Sequence, residues 1–352
     1  VPLGLLLALA LLPGCGPRSG RELLADYRAD LERILEAEAP DPASFRVASE
    51  IRLPDRRARR LPVSDQRVGP YDFLATMGCR LSEIVAERNG VLGKVLEPTR
   101  RLAHEVAVAG AIEECLPSLS DERAARLRER LEEKRADLAA HVWNAVWLDE
   151  DLERYLSGGP GSLFGGVSES DGAWQLGRAA DAIEALDVGA LELAFSQLAD
   201  DAAVGPLLRD WAGSTVELER IAALISPSAD VACDRTDRRL ARIFRERYLP
   251  MQAILTRVDR QGRDVTLGLA SLYRATERTV AGTTAVPPEM QRFAGMLFGS
   301  RAAPGLAERS RAAHLAHAAA WAPRRSITIA RSTGASIGPS GASRRRRTRT
   351  PR

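Results

Sequence analysis

The chain has 352 residues, of which 45% are hydrophobic, enough for the core of one large domain or two smaller ones. Its net charge of +3 conceals an asymmetry, because residues 301–352 contain twelve Arg and a single acid, Glu308. That segment carries +11 and the rest of the chain carries −8. An acidic body argues against binding to a nucleic-acid backbone, which requires clustered positive charge, so we expect no nucleic-acid partner.

The chain begins with an apolar run from Leu3 to Leu12. A membrane-spanning helix needs about 20 apolar residues, and a run of half that length is typical of a secretory signal. The run ends in LPGC at residues 12–15, which resembles the lipobox of bacterial lipoproteins. The resemblance implies a signal peptide at 1–14 and acyl chains on Cys15, where two or more chains give a stable membrane anchor. The alternative is a short hydrophobic N-terminus with an incidental cysteine.

Helical periodicity follows through the N-terminal half. Ser19 and Glu22 have capping-box spacing, which predicts that a helix begins at residue 20. Residues 45–68 are rich in Pro and Arg, and they predict an extended wrap across the surface. The helices predicted in this half are 20–38, 71–89, 98–115 and a long helix from about 121 towards Trp147.

The glycine-rich stretch 158–166 is the clearest internal break, and it predicts either a loop or a sub-boundary between two helical halves. No stretch alternates well enough for a sheet. The predicted fold class is therefore all-α, an irregular multi-helix bundle. Beyond the break, the predicted helices are 173–185, 188–199, 203–225, 235–259, 264–280 and 287–299.

Both ends of the chain depart from the expected patterns. Residues 1–14 lack the Met and the basic residues with which a signal begins, which indicates a GTG start read as Val or a start placed too late. Residues 301–352 form an Arg-rich tail, disordered by composition, in which we favour a frame shift over a nucleic-acid or lipid-headgroup patch. The helical body is then predicted to span residues 15–300. Gly16 after the cysteine favours the outer membrane.

The chain contains four cysteines. If Cys15 carries lipid, three remain in an oxidising compartment, and an odd number requires an explanation. Cys79 and Cys115 flank one helix–loop–helix segment, so we expect them to form a disulfide. Cys233 is left without a partner.

The segment 79–95, CRLSEIVAERNGVLGKV, has an unusual combination of motifs. With its cysteine, the AERN stretch at 86–89, LGK at 92–94 and a second cysteine at Cys115, it resembles an uncharacterised family of Gram-negative lipoproteins, the domain of unknown function 3080. WNAVW at 143–147 is similar to the WNxxW stretch of that family. The resemblance spans roughly residues 10–300 and implies a lipid-anchored protein, but it implies no activity.

The C-terminal end departs from this family. Members tend to finish with a helix that contains His and Trp, followed by a late cysteine. His314, His317 and Trp321 match the helix, but the cysteine is absent. A frame shift after about residue 320 would remove that cysteine and would explain why Cys233 lacks a partner.

One polar group is the main candidate for function: Glu87, Arg88, Asn89 and Lys94. A general acid requires a carboxyl whose pKa is raised by burial or by a like charge, which a second acid near Glu87, either Asp72 or Glu105, could provide. The structural alternative is that Glu87 pairs with Arg88 or Lys94 while Asn89-Gly90 ends the helix.

Trp143, Asn144 and Trp147 are secondary candidates. The two tryptophans are four residues apart and share a helix face, which is more often part of a core than a ligand platform. His104-Glu105 and His141 lie outside any metal-binding spacing, so we expect no metal and no cofactor.

The sequence thus predicts a lipid-anchored, periplasm-facing helical protein that takes part in envelope interaction or assembly without intrinsic catalysis. Its expected partners are the membrane, through the acyl chains on Cys15, and an envelope protein or cell-wall component. The alternative is a cell-wall hydrolase that uses Glu87 as its general acid.

Overall fold

The computed structural model describes residues 19–41, 51–64, 77–89, 97–157, 172–198, 204–226 and 234–332, with side chains omitted at 88, 89, 234 and 323–332. Within these ranges all regular secondary structure is helical, which confirms the all-α class. The predictions for the signal, Cys15, Lys94, the 158–166 break, Cys233 and the end of the tail lie outside the described residues. None of the described helices combines the length and the apolarity that crossing a membrane requires.

Besides its α-helices, the described chain has a 3-10 turn at Leu116–Ser118 and a π-helical turn at Phe244–Tyr248. The α-helices are α1 Gly20–Leu35, α2 Arg80–Asn89, α3 Pro98–Cys115, α4 Asp121–Trp147, α5 Glu150–Ser157, α6 Gly172–Glu184, α7 Val188–Leu198, α8 Val204–Ile225, α9 Asp234–Ile243, α10 Leu249–Val280, α11 Pro288–Phe298 and α12 Leu306–Ser332.

Helix α1 begins where the capping box predicts. The Ser19 hydroxyl accepts a hydrogen bond from the Glu22 N–H at 3.2 Å, and the Glu22 carboxylate accepts one from the Ser19 N–H at 3.0 Å. From α8, the buried Asp210 carboxylate accepts the N–H groups of Gly20 at 3.2 Å and Arg21 at 2.9 Å. Burial raises the pKa of Asp210 although these bonds oppose the rise. The first turn of α1 is therefore fixed directly to the body.

Helix α10 is the central helix of the body, and it packs against α6, α4, α8 and α11. In the main core, the rings of Trp143, Trp147 and Tyr273 lie 5.9 to 6.2 Å apart, centroid to centroid. All three side chains are buried. The tryptophans of α4 thus belong to the core, as their spacing on one helix face indicated.

Helices α2, α3 and the first half of α4 form an arm with a small core of its own. Leu81 of α2, Ile112 of α3 and Leu127 of α4 are buried in that core. A disulfide joins Cys79 to Cys115 with a Cα–Cα distance of 5.7 Å, and this is the expected pairing. It ties the start of α2 to the end of α3.

A second cluster joins both ends of the described chain. Tyr27 of α1 packs on Tyr248 of the π-helical turn, and the Tyr248 ring lies 4.3 Å from that of His317, centroid to centroid. Trp321 donates from Nε1 to Nε2 of His317 at 3.2 Å, and both side chains are buried. Helix α12 therefore packs on the body, which continues past the predicted boundary at residue 300. The stretch is alanine-rich, and small side chains such as Ala313 let α12 pack closely on α8.

Three predicted helix boundaries also differ. Within the helix predicted at 71–89, α2 begins at Arg80, because residues 77–79 form a turn in which Gly78 has a φ of 97°; residues 71–76 lie outside the described residues. Helix α1 ends at Leu35 because the next residue has left-handed backbone geometry. The break predicted between 259 and 264 is absent, since α10 runs through it. Gly262 there lies against Trp211, and a Cβ at this position would be 2.4 Å from the indole Cε3.

Candidate functional site

The main cluster predicted from the sequence is only partly described. Helix α2 runs through Glu87, Arg88 and Asn89, and the Glu87 side chain is exposed. Lys94, Asp72 and the side chains of Arg88 and Asn89 lie outside the described residues. The exposure of Glu87 gives its carboxyl none of the shelter that the predicted general acid needs. Whether the four residues form a site stays a prediction.

The secondary candidates Trp143, Asn144 and Trp147 attach two other parts of the chain to α4. We name residues 51–64, which cross the surface without a helix, the strap. The Asn144 side chain accepts a hydrogen bond from the Leu61 N–H at 2.9 Å and donates to the Leu61 carbonyl at 2.8 Å, as a neighbouring strand would. Trp143 Nε1 donates to the Arg59 carbonyl at 2.7 Å, and Trp147 Nε1 donates to the Thr276 hydroxyl at 3.0 Å. The WNxxW stretch therefore anchors the strap and α10.

An ion pair adds to the attachment of the strap. The buried guanidinium of Arg59 contacts the carboxylate of Glu153 on α5. Burial lowers the pKa of Arg59, while the charge of Glu153 opposes this. Near the far end of the strap, the Ser64 N–H donates to the Asp137 carboxylate at 2.9 Å.

A polar group between α3 and α4 contains residues considered for metal or acid–base chemistry. Lys134 Nζ lies 2.7 Å from the Glu105 carboxylate, and both side chains are largely buried. Burial acts to raise the pKa of Glu105, but the hydrogen bond and charge of Lys134 bring it below its ordinary value. Burial lowers the pKa of His141. Within the described ranges, no three His, Cys, Asp or Glu side chains gather as a metal ion would require.

The described residues form an open groove with a volume of about 880 Å³. A smaller hollow of about 200 Å³ lies beside Leu23 and Met251. Four stretches of chain form the groove: the strap, α8, α11 with the loop that follows it, and α12. Its lining consists of Arg52, Pro54, Glu219, Glu289, Arg292, Phe293, Gly295, Met296, Ser300, Ala303, Pro304 and Arg309.

One face of α11 forms a wall of the groove. Glu289, Arg292, Phe293 and Met296 recur at helical spacing and line it. Phe293 is buried and Met296 is half-buried, so the wall is apolar between its charged residues. Gly295 lies on the same wall, and a Cβ built there meets no atom within 4 Å. This wall has room for a ligand.

The loop after α11 forms a tightly closed rim. Gly299 has a φ of 84°, and a Cβ on it would lie 2.8 Å from the N atom of Gly305. The Ser300 N–H donates to the Ala303 carbonyl at 2.8 Å, and the Ser300 hydroxyl accepts the Ala303 N–H at 3.2 Å. Glycine is required where the two backbones meet. The rim is thus ordered by its own backbone contacts.

The charges around the groove are unevenly paired. Arg292 pairs with Glu289 at 2.9 Å, and Arg309 lies 3.5 Å from Glu219. The exposed Arg52 makes no ion pair with any carboxylate of the described ranges. Positive charge is therefore in excess at the strap side of the groove.

A second arginine lies near that excess charge. Burial lowers the pKa of Arg209 on α8, and the charge of Arg52 lowers it further. Sequence reasoning missed this interaction, because 157 residues separate the two arginines and only the fold brings their charges within reach of each other.

Comparison with known proteins assigns the chain to a family. A family model described as "Protein of unknown function (DUF3080)" matches residues 24–324, from α1 into α12. No curated protein matches the chain. No solved structure matches it either. The family model covers well over half of the 352 residues, so the chain belongs to the DUF3080 family of proteins of unknown function.

Proposed function

We propose that this protein is a lipid-anchored, periplasm-facing protein of the outer membrane that acts by binding an envelope component and catalyses no reaction. The observation that carries the binding role is the groove of about 880 Å³, because open concave sites of this size with mixed apolar and charged linings are typical of ligand binding. Envelope interaction or assembly is the role that such binding would serve.

The position of α1 supports the anchored geometry. Cys15 stands four residues before Ser19, so the two Cα atoms are at most about 14 Å apart even in an extended chain. Asp210 holds the first turn of α1 on α8. Acyl chains on Cys15 would therefore keep the body close to the bilayer surface.

The anchor is tested by replacing Cys15 with Ala in cells fed with labelled palmitate. We expect the wild-type protein to take up the label and to sediment with outer membranes, and the variant to lose both properties. A variant that is equally membrane-bound, or a wild type without label, contradicts the lipid anchor.

The binding role is tested by a photo-crosslinking amino acid placed at position 295 in the groove wall. The matched control carries it at Gly110 of α3, another helical glycine whose Cβ would meet no atom within 4 Å. We expect discrete adducts in intact envelopes from position 295 and none from position 110. Equal labelling at both positions contradicts a binding role for the groove.

A further inference from the structure

The dimensions of the groove indicate a small ligand. Its volume of about 880 Å³ lies within the range of roughly 300 to 1,000 Å³ that is usual for small-molecule sites. A stable protein partner would instead need about 800 Å² of surface on each side. The groove is bounded by the strap, by α11 and by the rim loop, and this enclosure also favours a narrow ligand.

The lining indicates that most of this ligand is apolar. The lining includes Phe293 and Met296 of α11, Pro54 of the strap, and Ala303 and Pro304 of the rim loop. None of these five side chains carries a strong hydrogen-bonding group. The part of the ligand between them must therefore be hydrocarbon, because a polar group placed there without a partner would lose its hydration.

The charges indicate that one end of the ligand is negative. Arg292 and Arg309 are paired with carboxylates, whereas Arg52 lines the groove and makes no ion pair with a carboxylate of the described ranges. This local excess of positive charge stands out because the first 300 residues carry a net charge of −8. A guanidinium binds a carboxylate or phosphate through charge-assisted hydrogen bonds.

We infer that the groove binds a single-chain amphiphilic anion, with its hydrocarbon chain along Phe293 and Met296 and its negative head group at Arg52. The inference rests on the proposed binding function and specifies its ligand class. A free fatty acid and a lysophospholipid share this chemistry. Arg52 selects the charge of the head group, and the apolar wall accepts the chain.

The experiment measures binding of palmitate, lysophosphatidylglycerol and uncharged hexadecanol to the full-length Cys15→Ala chain by displacement of a fluorescent fatty acid. We expect micromolar binding of at least one of the two anions, and the stronger of them identifies the source of the ligand. Hexadecanol should bind at least about tenfold more weakly, because it lacks the charge that Arg52 pairs with. Equal binding of hexadecanol, or no binding of either anion, overturns the inference.

Two pairs of variants locate the site. Arg52→Gln should weaken anion binding roughly tenfold or more, whereas Arg57→Gln, an exposed strap arginine outside the lining, should change it less than about twofold. Gly295→Leu should fill the groove and abolish binding, whereas Gly110→Leu on α3 should not. Both leucines enter open space, so thermal unfolding should show that each variant folds.

Binding that is unaffected by both Arg52→Gln and Gly295→Leu overturns the inference. Its failure is separable from failure of the proposed function. Adducts at position 295 in intact envelopes without binding of either anion would retain a binding groove and reject the ligand class. Loss of the anchor alone would appear only in the palmitate labelling of Cys15.

Discussion

Replacing Asn144 by Ala should detach the middle of the strap from α4. The side chain makes two hydrogen bonds, to the N–H and the carbonyl of Leu61, a residue that is only 4% exposed. Each such bond contributes about 1 kcal/mol, and a buried group left without a partner costs about 1–3 kcal/mol. We therefore expect Asn144→Ala to lower the free energy of unfolding by about 2–4 kcal/mol.

The assay is urea unfolding at neutral pH, together with limited proteolysis of residues 51–64. Asn144→Asp should lower the free energy of unfolding almost as much. Its carboxylate can accept the Leu61 N–H, but it places a second acceptor against the Leu61 carbonyl. Glu129→Ala, an exposed change on the same helix, is the control. A loss below about 0.5 kcal/mol for Asn144→Ala, with unchanged cleavage of the strap, would refute the reasoning.

Three further predictions concern packing, pH and catalysis. Gly262→Ala should lower the melting temperature because its Cβ would lie 2.4 Å from Trp211. Gly110→Ala should raise the melting temperature, because Ala is favoured over Gly inside a helix by up to about 1 kcal/mol and its Cβ meets no atom within 4 Å. Shifts of the same sign in both variants would contradict this. Asp149 caps α5 through the N–H groups of residues 151 and 152, and burial raises its pKa from 3.8 to about 6. The folded state thus binds this proton more tightly, so the contribution of Asp149 to stability falls as pH rises from about 4 to about 6. Asp149→Asn keeps the cap without the titrating group. Its free energy of unfolding, relative to that of the wild type, should rise by up to about 3 kcal/mol between about pH 4 and about pH 6 in urea titrations. A difference that does not change with pH would contradict this prediction. Glu87→Gln should leave the melting temperature and palmitate binding unchanged. Degradation of peptidoglycan by the wild type but not by Glu87→Gln would favour the hydrolase alternative.

Local signals in the sequence were sufficient for much of the fold. Ser19 with Glu22 placed the start of α1, and Pro98 placed the start of α3, because capping and proline geometry depend only on neighbouring residues. The pairing of Cys79 with Cys115 followed from the helix–loop–helix between them. The four-residue spacing of Trp143 and Trp147 on one face of α4 favoured the core for both side chains.

The misplaced predictions and the groove depend on contacts between distant residues. Gly262 reads as a helix breaker, yet its missing side chain makes room for Trp211, which lies about fifty residues earlier. The alanine-rich stretch before Trp321 has little apolar bulk, and its burial depends on α8. Arg52 and Met296 reach the same groove from opposite parts of the chain. No spacing within the sequence marks such a site.

The attachment of α1 to α8 has a consequence for the order in which the chain folds. The disulfide of the arm joins residues 36 apart, so the arm needs only a short stretch of chain to become stable. In contrast, the Gly20 N–H binds Asp210, which lies 190 residues later, and the Tyr27 ring packs near that of His317, close to the end of the described chain. Distant contacts form slowly because a long loop must close first. When the chain folds as it emerges from its N-terminal end, we therefore expect the arm to form early and the N-terminal helix to dock among the last elements.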